Sequence, residues 1–158
     1  MFISHNADAP AAEVTFKRID TLSTSAPNRF VSGIYVDPAD PNHAFISYSG
    51  YSAATPTRPG HVFEVRFTGA AATWTSLDGG TGPMGDLPVT AIVRDDPTGD
   101  LYAATDFGVL RKVAGSGHWH MAATGLPAVE VAGLSISTEG RVLYAATHGR
   151  GAFRLLLP

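Results

Sequence analysis

The pentapeptide Leu101-Tyr102-Ala103-Ala104-Thr105 recurs 42 residues later as Leu143-Tyr144-Ala145-Ala146-Thr147. The alternating segment upstream of each copy repeats at the same offset: Val89-Thr90-Ala91-Ile92-Val93 becomes Val131-Ala132-Gly133-Leu134-Ser135-Ile136. Two separate segments that share one offset define an internal repeat, and a repeat constrains the fold more tightly than any single motif. A looser third copy lies upstream, with Val31-Ser32-Gly33-Ile34-Tyr35-Val36 and Ala44-Phe45-Ile46-Ser47-Tyr48-Ser49 in the equivalent places. It stands 58 residues ahead of the next copy, and most of the excess falls in a turn-rich insertion at 51–60.

Each copy continues alike. A Gly-containing turn leads to a third alternating strand, at His61–Phe67, Val109–Val113 and Ala152–Leu156. A small-residue turn then leads to a short strand opened by an aromatic, Trp74 or Trp119, while the last copy stops at Pro158 before any such strand. Val14–Ile19 also alternates. Its Phe16 precedes Val31 by the same 15 residues that separate Trp74 from Val89. The chain therefore reads as an N-terminal extension (1–13), a fourth strand of a preceding or closing blade (14–20), and blade 1 (29–78). Blade 2 (87–123) and a three-stranded blade 3 (128–158) follow.

A period of roughly 40–50 residues with four short strands is the pattern of a β-propeller blade. A β-sandwich also has evenly spaced strands, but it does not normally repeat one motif at a fixed offset. No segment carries a capped i, i+3, i+4 apolar pattern, so helix should be scarce. Ala103, Ala104, Ala145 and Ala146 suit a crowded inner strand, and Tyr102 and Tyr144 should fill the space between blades.

The units resemble the Asp-box (BNR) propeller family, which includes sialidases, two-propeller xyloglucanases and the lumenal propeller of sortilins. The resemblance rests on a first strand followed by Asp37-Pro38 or Asp95-Asp96-Pro97, and then on Leu-Tyr-Ala-Ala-Thr. Asp106-Phe107-Gly108-Val109 or His148-Gly149-Arg150-Gly151 follows, and then an aromatic opens strand 4. Gly85-Asp86-Leu87-Pro88 and Gly125-Leu126-Pro127 resemble the linkers between blades. The box itself, Ser-x-Asp-x-Gly-x-x-Trp, has decayed. Ala114 and Ser116 hold the Asp and Gly places before Trp119, and Gly69 and Ala71 hold them before Trp74. The resemblance implies a secreted or periplasmic protein. It bears on fold more than on function.

Composition removes several classes of function. Eleven Lys+Arg against 14 Asp+Glu give a net charge of −3, without the basic excess of a nucleic-acid module. Cysteine is absent, so disulfides and Cys-based metal sites are excluded. No apolar run is long enough to cross a bilayer as a helix, and no leader pattern opens the chain at Met1. No cofactor motif is present.

In this topology the strand 2–3 and strand 4–1 loops share one face, where ligand sites of related propellers lie. That face should present Tyr48, Tyr51, Asp106, Phe107, His148 and Arg150, with Met84 and Asp86 on a neighbouring loop. His148-Gly149-Arg150-Gly151 reads as an anion or carbohydrate subsite, because the guanidinium is a planar fork of donors. The reading weighed against it, and preferred, is a tight turn whose His and Arg bond blade carbonyls. Asp106 is a candidate general acid or base, or the Asx residue of the 105–108 hairpin. A glycosidase needs two facing carboxylates, and neither Asp86 nor any other residue is a convincing partner for Asp106. Asp106 and His148 are thus weak catalytic candidates, and one Arg is not the cluster that sialidase chemistry needs. The Asp-rich turns 37–43 and 95–100 lack calcium-loop spacing, and His118 and His120 lack a third zinc ligand.

Two functions compete. The first is a non-catalytic propeller segment that binds protein or carbohydrate or acts as a scaffold. The second is part of a glycoside hydrolase or exo-sialidase whose other catalytic residues lie on other blades. Three blades are fewer than the roughly four that close a ring. The expected partners are therefore further blades of a longer chain, of which this would be the C-terminal part, or a second copy of itself, with which it would be half of a six-bladed ring.

Overall fold

The computed structural model describes residues 1–79, 83–137 and 139–158. Its strands run in chain order as β1 (Phe2–Ile3), β2 (Lys17–Arg18), β3 (Val31–Val36), β4 (His43–Tyr48), β5 (Val62–Phe67) and β6 (Ala72–Ser76). They continue as β7 (Val89–Asp95), β8 (Asp100–Thr105), β9 (Gly108–Lys112), β10 (His120–Met121), β11 (Val131–Ser137), β12 (Val142–Thr147) and β13 (Gly151–Leu156). Helix is confined to two short 3₁₀ turns, Asp20–Leu22 and Ser52–Ala54, among the described residues. β3–β6 and β7–β10 are four-stranded antiparallel meanders, and β11–β13 is a three-stranded one. These are propeller blades 1, 2 and 3.

Period-2 alternation gives every blade two apolar faces, and the three cores lie at the boundaries between sheets. Phe45, Val62, Ile92, Leu101, Ala103, Leu110 and Trp119 form the core between blades 1 and 2. Tyr102, Ala104, Val109, Val131, Leu143 and Ala145 form the core between blades 2 and 3. Tyr102 is fully buried there, whereas Tyr144, one repeat later, is 43% exposed on the outward face of blade 3. The small residue Ala146 is likewise exposed on that outward face.

The first strand of every blade carries an irregularity at the same place, between Val31 and Gly33, Val89 and Ala91, and Val131 and Gly133. A bulge re-aims the side chain it displaces. In blade 1 the displaced Ser32 hydroxyl donates to the Val89 carbonyl of blade 2. In blade 2 the Thr90 hydroxyl donates to the Val131 carbonyl of blade 3. In blade 3 the displaced residue is Ala132, which has no hydroxyl. A second strap between blades is ionic, with Asp95 of β7 held by Arg141 before β12.

The segment read as a fourth strand is short. Lys17–Arg18 pairs with Phe2–Ile3 rather than with β13, so the expected extension supplies its partner. This hairpin lies against the outer strands of blade 1, where Ile19 and Ala26 join Tyr48, Phe63, Phe67 and Trp74 in a third core. Lys17 Nζ donates to the Gly69 carbonyl at the turn before β6. Hairpin and segment stop short of the inner strand, where Ile34 and Val36 are more than half exposed.

Candidate functional site

The β4–β5, β8–β9 and β12–β13 loops share one face with the linkers between blades, because each meander reverses direction at every strand. Two groups of polar residues form on this face.

The first group joins blades 1 and 2 and is built around His61, which is 1% exposed. Its Nδ1 lies 2.9 Å from Asp78 Oδ2, and its Nε2 lies 3.1 Å from Asp86 Oδ1 without hydrogen-bond alignment. The Asp78 carboxylate also accepts the backbone N–H groups of His61 and Val62. Asp86 accepts those of Ser52 and Ala53. Burial opposes its charge, but those amides, with the Ser52 hydroxyl and His61, hold its pKa below the usual carboxylate range. Asp86 is thus the anchor of the 51–60 insertion and no partner for Asp106. Tyr51 is 52% exposed beside this anchor.

Two residues expected on the loop face lie in the core. Tyr48 is 2% exposed, packs edge-on to Phe63, and accepts a hydrogen bond from the Trp74 indole. Met84 is fully buried between blades 1 and 2. In both cases the residue belongs by position to the loop face, but its side chain is turned between sheets where apolar area leaves water.

The second group joins blades 2 and 3 and contains Asp106, Phe107, His148 and Arg150, together with Glu130, which sequence reasoning missed. Glu130 sits in the linker just before β11. Its carboxylate lies 3.1 Å from His148 Nδ1, and its carbonyl accepts the His148 amide at 2.9 Å. Asp106 does not hold its own hairpin. The Thr105 hydroxyl does so, accepting from the Phe107 amide and donating to the Gly108 carbonyl. Thr147 repeats the second of these bonds, to the Gly151 carbonyl. This explains why both copies of the pentapeptide end in Thr. Asp106 is left without a hydrogen bond among the described residues. Burial, and then the charge of Glu130, raise its pKa. Phe107 is 57% exposed, and Arg150 is exposed in the β12–β13 turn.

The Asp-rich turns are held from within. Asp37 accepts the Ala39 amide and faces the His43 ring, and Asp95 accepts the Thr98 hydroxyl. Among the described residues no three His, Asp or Glu side chains converge as a metal site. His120 pairs across from Arg111 at the outer edge of blade 2.

Glu130 carried a faint signal. It is an acidic residue directly before a repeated first strand, at the blade boundary that also holds Asp106 and His148. His61 and Asp78 carried none, because their meeting depends on the return of β5 past β6.

No family model and no curated protein matches the sequence. Solved structures do. The β-propeller domain of Cps50 (Swd1) from Myceliophteria thermophila is similar over 84% of this chain and 41% of its own, at 15% identity and a TM-score of 0.63. An ancestral GH74 enzyme is similar over 84% of this chain and 18% of its own, at 20% identity and a TM-score of 0.55. An extracellular domain from B. thetaiotaomicron is similar over 88% of this chain and 16% of its own, at 13% identity and a TM-score of 0.58. The chain spans less than half the length of each. At these identities the likeness shows the propeller fold.

Proposed function

We propose that the chain is a non-catalytic β-propeller segment whose loop face binds a carbohydrate or protein ligand at the boundary of blades 2 and 3. It acts as part of a larger sialidase-like propeller of the Asp-box type, with a secreted or periplasmic home. The observation that carries the reading is the composition of that boundary: an exposed aromatic (Phe107), an exposed guanidinium (Arg150) and a His148–Glu130 pair on short hairpins. An aromatic face with planar and bidentate donors suits a sugar ring or a peptide, and short hairpins keep it pre-organised.

One observation favours a hydrolytic reading. Asp106 is pushed toward the protonated form beside a second carboxylate, which is what an acid–base pair needs. Against it, Glu130 is already engaged by His148.

Titration calorimetry with soluble β-glucans, sialosides and xyloglucan oligosaccharides, run beside a fluorogenic turnover assay, separates the two. Binding that falls at least tenfold in Phe107→Ala and Arg150→Ala, with no turnover, supports the binding role. Turnover abolished in Asp106→Asn or Glu130→Gln establishes the hydrolase. No binding to any glycan and no turnover removes the carbohydrate readings and leaves protein as the ligand.

A further inference from the structure

Two buried histidines of blade 1 share one arrangement. His61, just before β5, has Nδ1 2.9 Å from Asp78 Oδ2 and Nε2 3.1 Å from Asp86 Oδ1. His43, at the start of β4, has Nδ1 2.9 Å from Asp37 Oδ2 and Nε2 2.9 Å from Glu64 Oε1. In both rings Nε2 is buried and makes no hydrogen bond among the described residues. A neutral imidazole has one donor nitrogen and one acceptor nitrogen. The bond to Asp78 or Asp37 places that donor at Nδ1, so each neutral ring turns a lone pair toward its second carboxylate. A proton taken up at Nε2 converts this contact between two acceptors into a charge-assisted hydrogen bond.

The two rings differ in what they hold. Asp37 and Glu64 belong to the β3–β4 turn and to β5, inside one meander. Asp78 is fixed as well, by the His61 and Val62 amides. Asp86 instead holds a separate piece of chain, through the Ser52 and Ala53 amides of the 51–60 insertion. The neck of that insertion is closed independently. The Arg29 guanidinium donates to both the Gly50 and the Gly60 carbonyls, and the Gly60 amide donates to Ser52 Oγ. Gly50 and Gly60 have φ of 78° and 115°, the freedom a hinge needs. Arg58 adds one bond, to the Ala26 carbonyl. The groups that face His61 are Asp78 after β6, Asp86 before β7 and Arg29 before β3. Tyr48 of β4 keeps its hydroxyl on the Trp74 indole, and His118, beyond Gly79, is exposed. Arg29 interacts by charge with both carboxylates. The cluster therefore carries one uncompensated negative charge when His61 is neutral and none when it is protonated.

We propose that His61 is a proton-operated latch for the 51–60 insertion. Protonated, it donates to Asp78 and Asp86 together and seats the insertion, with Tyr51, on the boundary of blades 1 and 2. Neutral, it keeps Asp78 and loosens Asp86, and the insertion swings about Gly50 and Gly60 while Arg29 holds the neck. The seated form binds the extra proton, so it gains population as pH falls. His43 takes up a proton by the same geometry but has no such segment attached. The latch is independent of any ligand at the boundary of blades 2 and 3.

The test follows the full chain by NMR from about pH 5 to about pH 8. It reads the His61 ring resonances and the exchange of the Ser52 and Ala53 amides, corrected for the intrinsic rate at each pH. Protection of both amides that falls about tenfold or more as pH rises, in step with loss of the His61 proton, supports the latch. His61→Gln should abolish that dependence, and His43→Gln should leave it intact. Asp86→Asn removes the second carboxylate, leaves the ring in place and should move the His61 titration to lower pH. Protection that stays flat across the range, or a dependence that survives His61→Gln, overturns the proposal. So does a His61 titration unmoved in Asp86→Asn, which keeps the test decisive where His61→Gln fails to fold. A dependence lost in His43→Gln also overturns it, by making His43 the sensor.

Discussion

The Trp119 indole of blade 2 donates to the Leu77 carbonyl of blade 1 at 2.7 Å, across 42 residues of chain. That separation equals the repeat period. Trp119, at the head of strand 4, is therefore the peg by which blade 2 attaches to blade 1. With its ring 1% exposed among Val62, Leu110 and Ala103, Trp119→Ala should cost about 3–5 kcal/mol. Trp119→Phe should cost less, because it loses the bond and part of the volume only. Urea midpoints at unchanged m-value report both, and a Trp119→Ala loss under about 1 kcal/mol would contradict the peg role.

Gly33 and Gly133 occupy the same register in blades 1 and 3 but face different surroundings. A Cβ on Gly33 would sit 2.8 Å from Ser47 Oγ and 3.1 Å from the Ile92 backbone nitrogen, whereas one on Gly133 meets nothing within 4 Å. Gly33→Ala should destabilise by about 1–3 kcal/mol, as overpacking does, and Gly133→Ala should stay within about 0.5 kcal/mol. Thermal or urea unfolding of the two variants decides this, and equal effects would mean that the blade 1–2 boundary is looser than described.

Asp95 links blade 2 to blade 3. Burial opposes its charge, but Arg141, the Thr98 hydroxyl and Arg111 outweigh it and hold its pKa below the usual carboxylate range. A depressed carboxylate contributes stability that is complete above the unfolded pKa of about 3.9 and is lost as pH falls through the folded value. Stability should thus decline below about pH 4. Asp95→Asn should lower stability at pH 7 and flatten that acid limb. Parallel limbs for the two proteins at pH 7, 4 and 3 would show that the strap contributes nothing.

Asp106 titrates the other way. Burial first, and the Glu130 charge second, raise its pKa. Its ionised form therefore disfavours folding above the folded pKa, and the penalty vanishes below the unfolded one. Asp106→Asn should leave the protein slightly more stable at pH 7 and unchanged near pH 3. Glu130→Gln should lower the Asp106 pKa in a carboxyl NMR titration; an unmoved pKa would separate the two groups.

The repeat offsets, the period-2 alternation and the Gly-rich turns were enough to read the propeller blade and its strand order. These features are local. Alternation assigns residues to two faces, and a repeated spacing says that the same unit is built again. Tyr102 and Tyr144 look identical in sequence for that reason. Only the structure distinguishes them, because Tyr102 packs against the strands of blade 3 while Tyr144 lies on the other face of its own sheet.

The candidate site was half legible. Asp106, Phe107, His148 and Arg150 were placed by topology on one face. Tyr48 and Met84 were drawn inward by burial, which outweighs their nominal place on a loop face. Glu130, His61 and Asp78 act through partners 16 to 18 residues away. The sequence alone determined the blade as the building unit. The tertiary structure decided which of its two faces is buried and which carboxylates meet, because these follow from contacts between elements that no local pattern encodes.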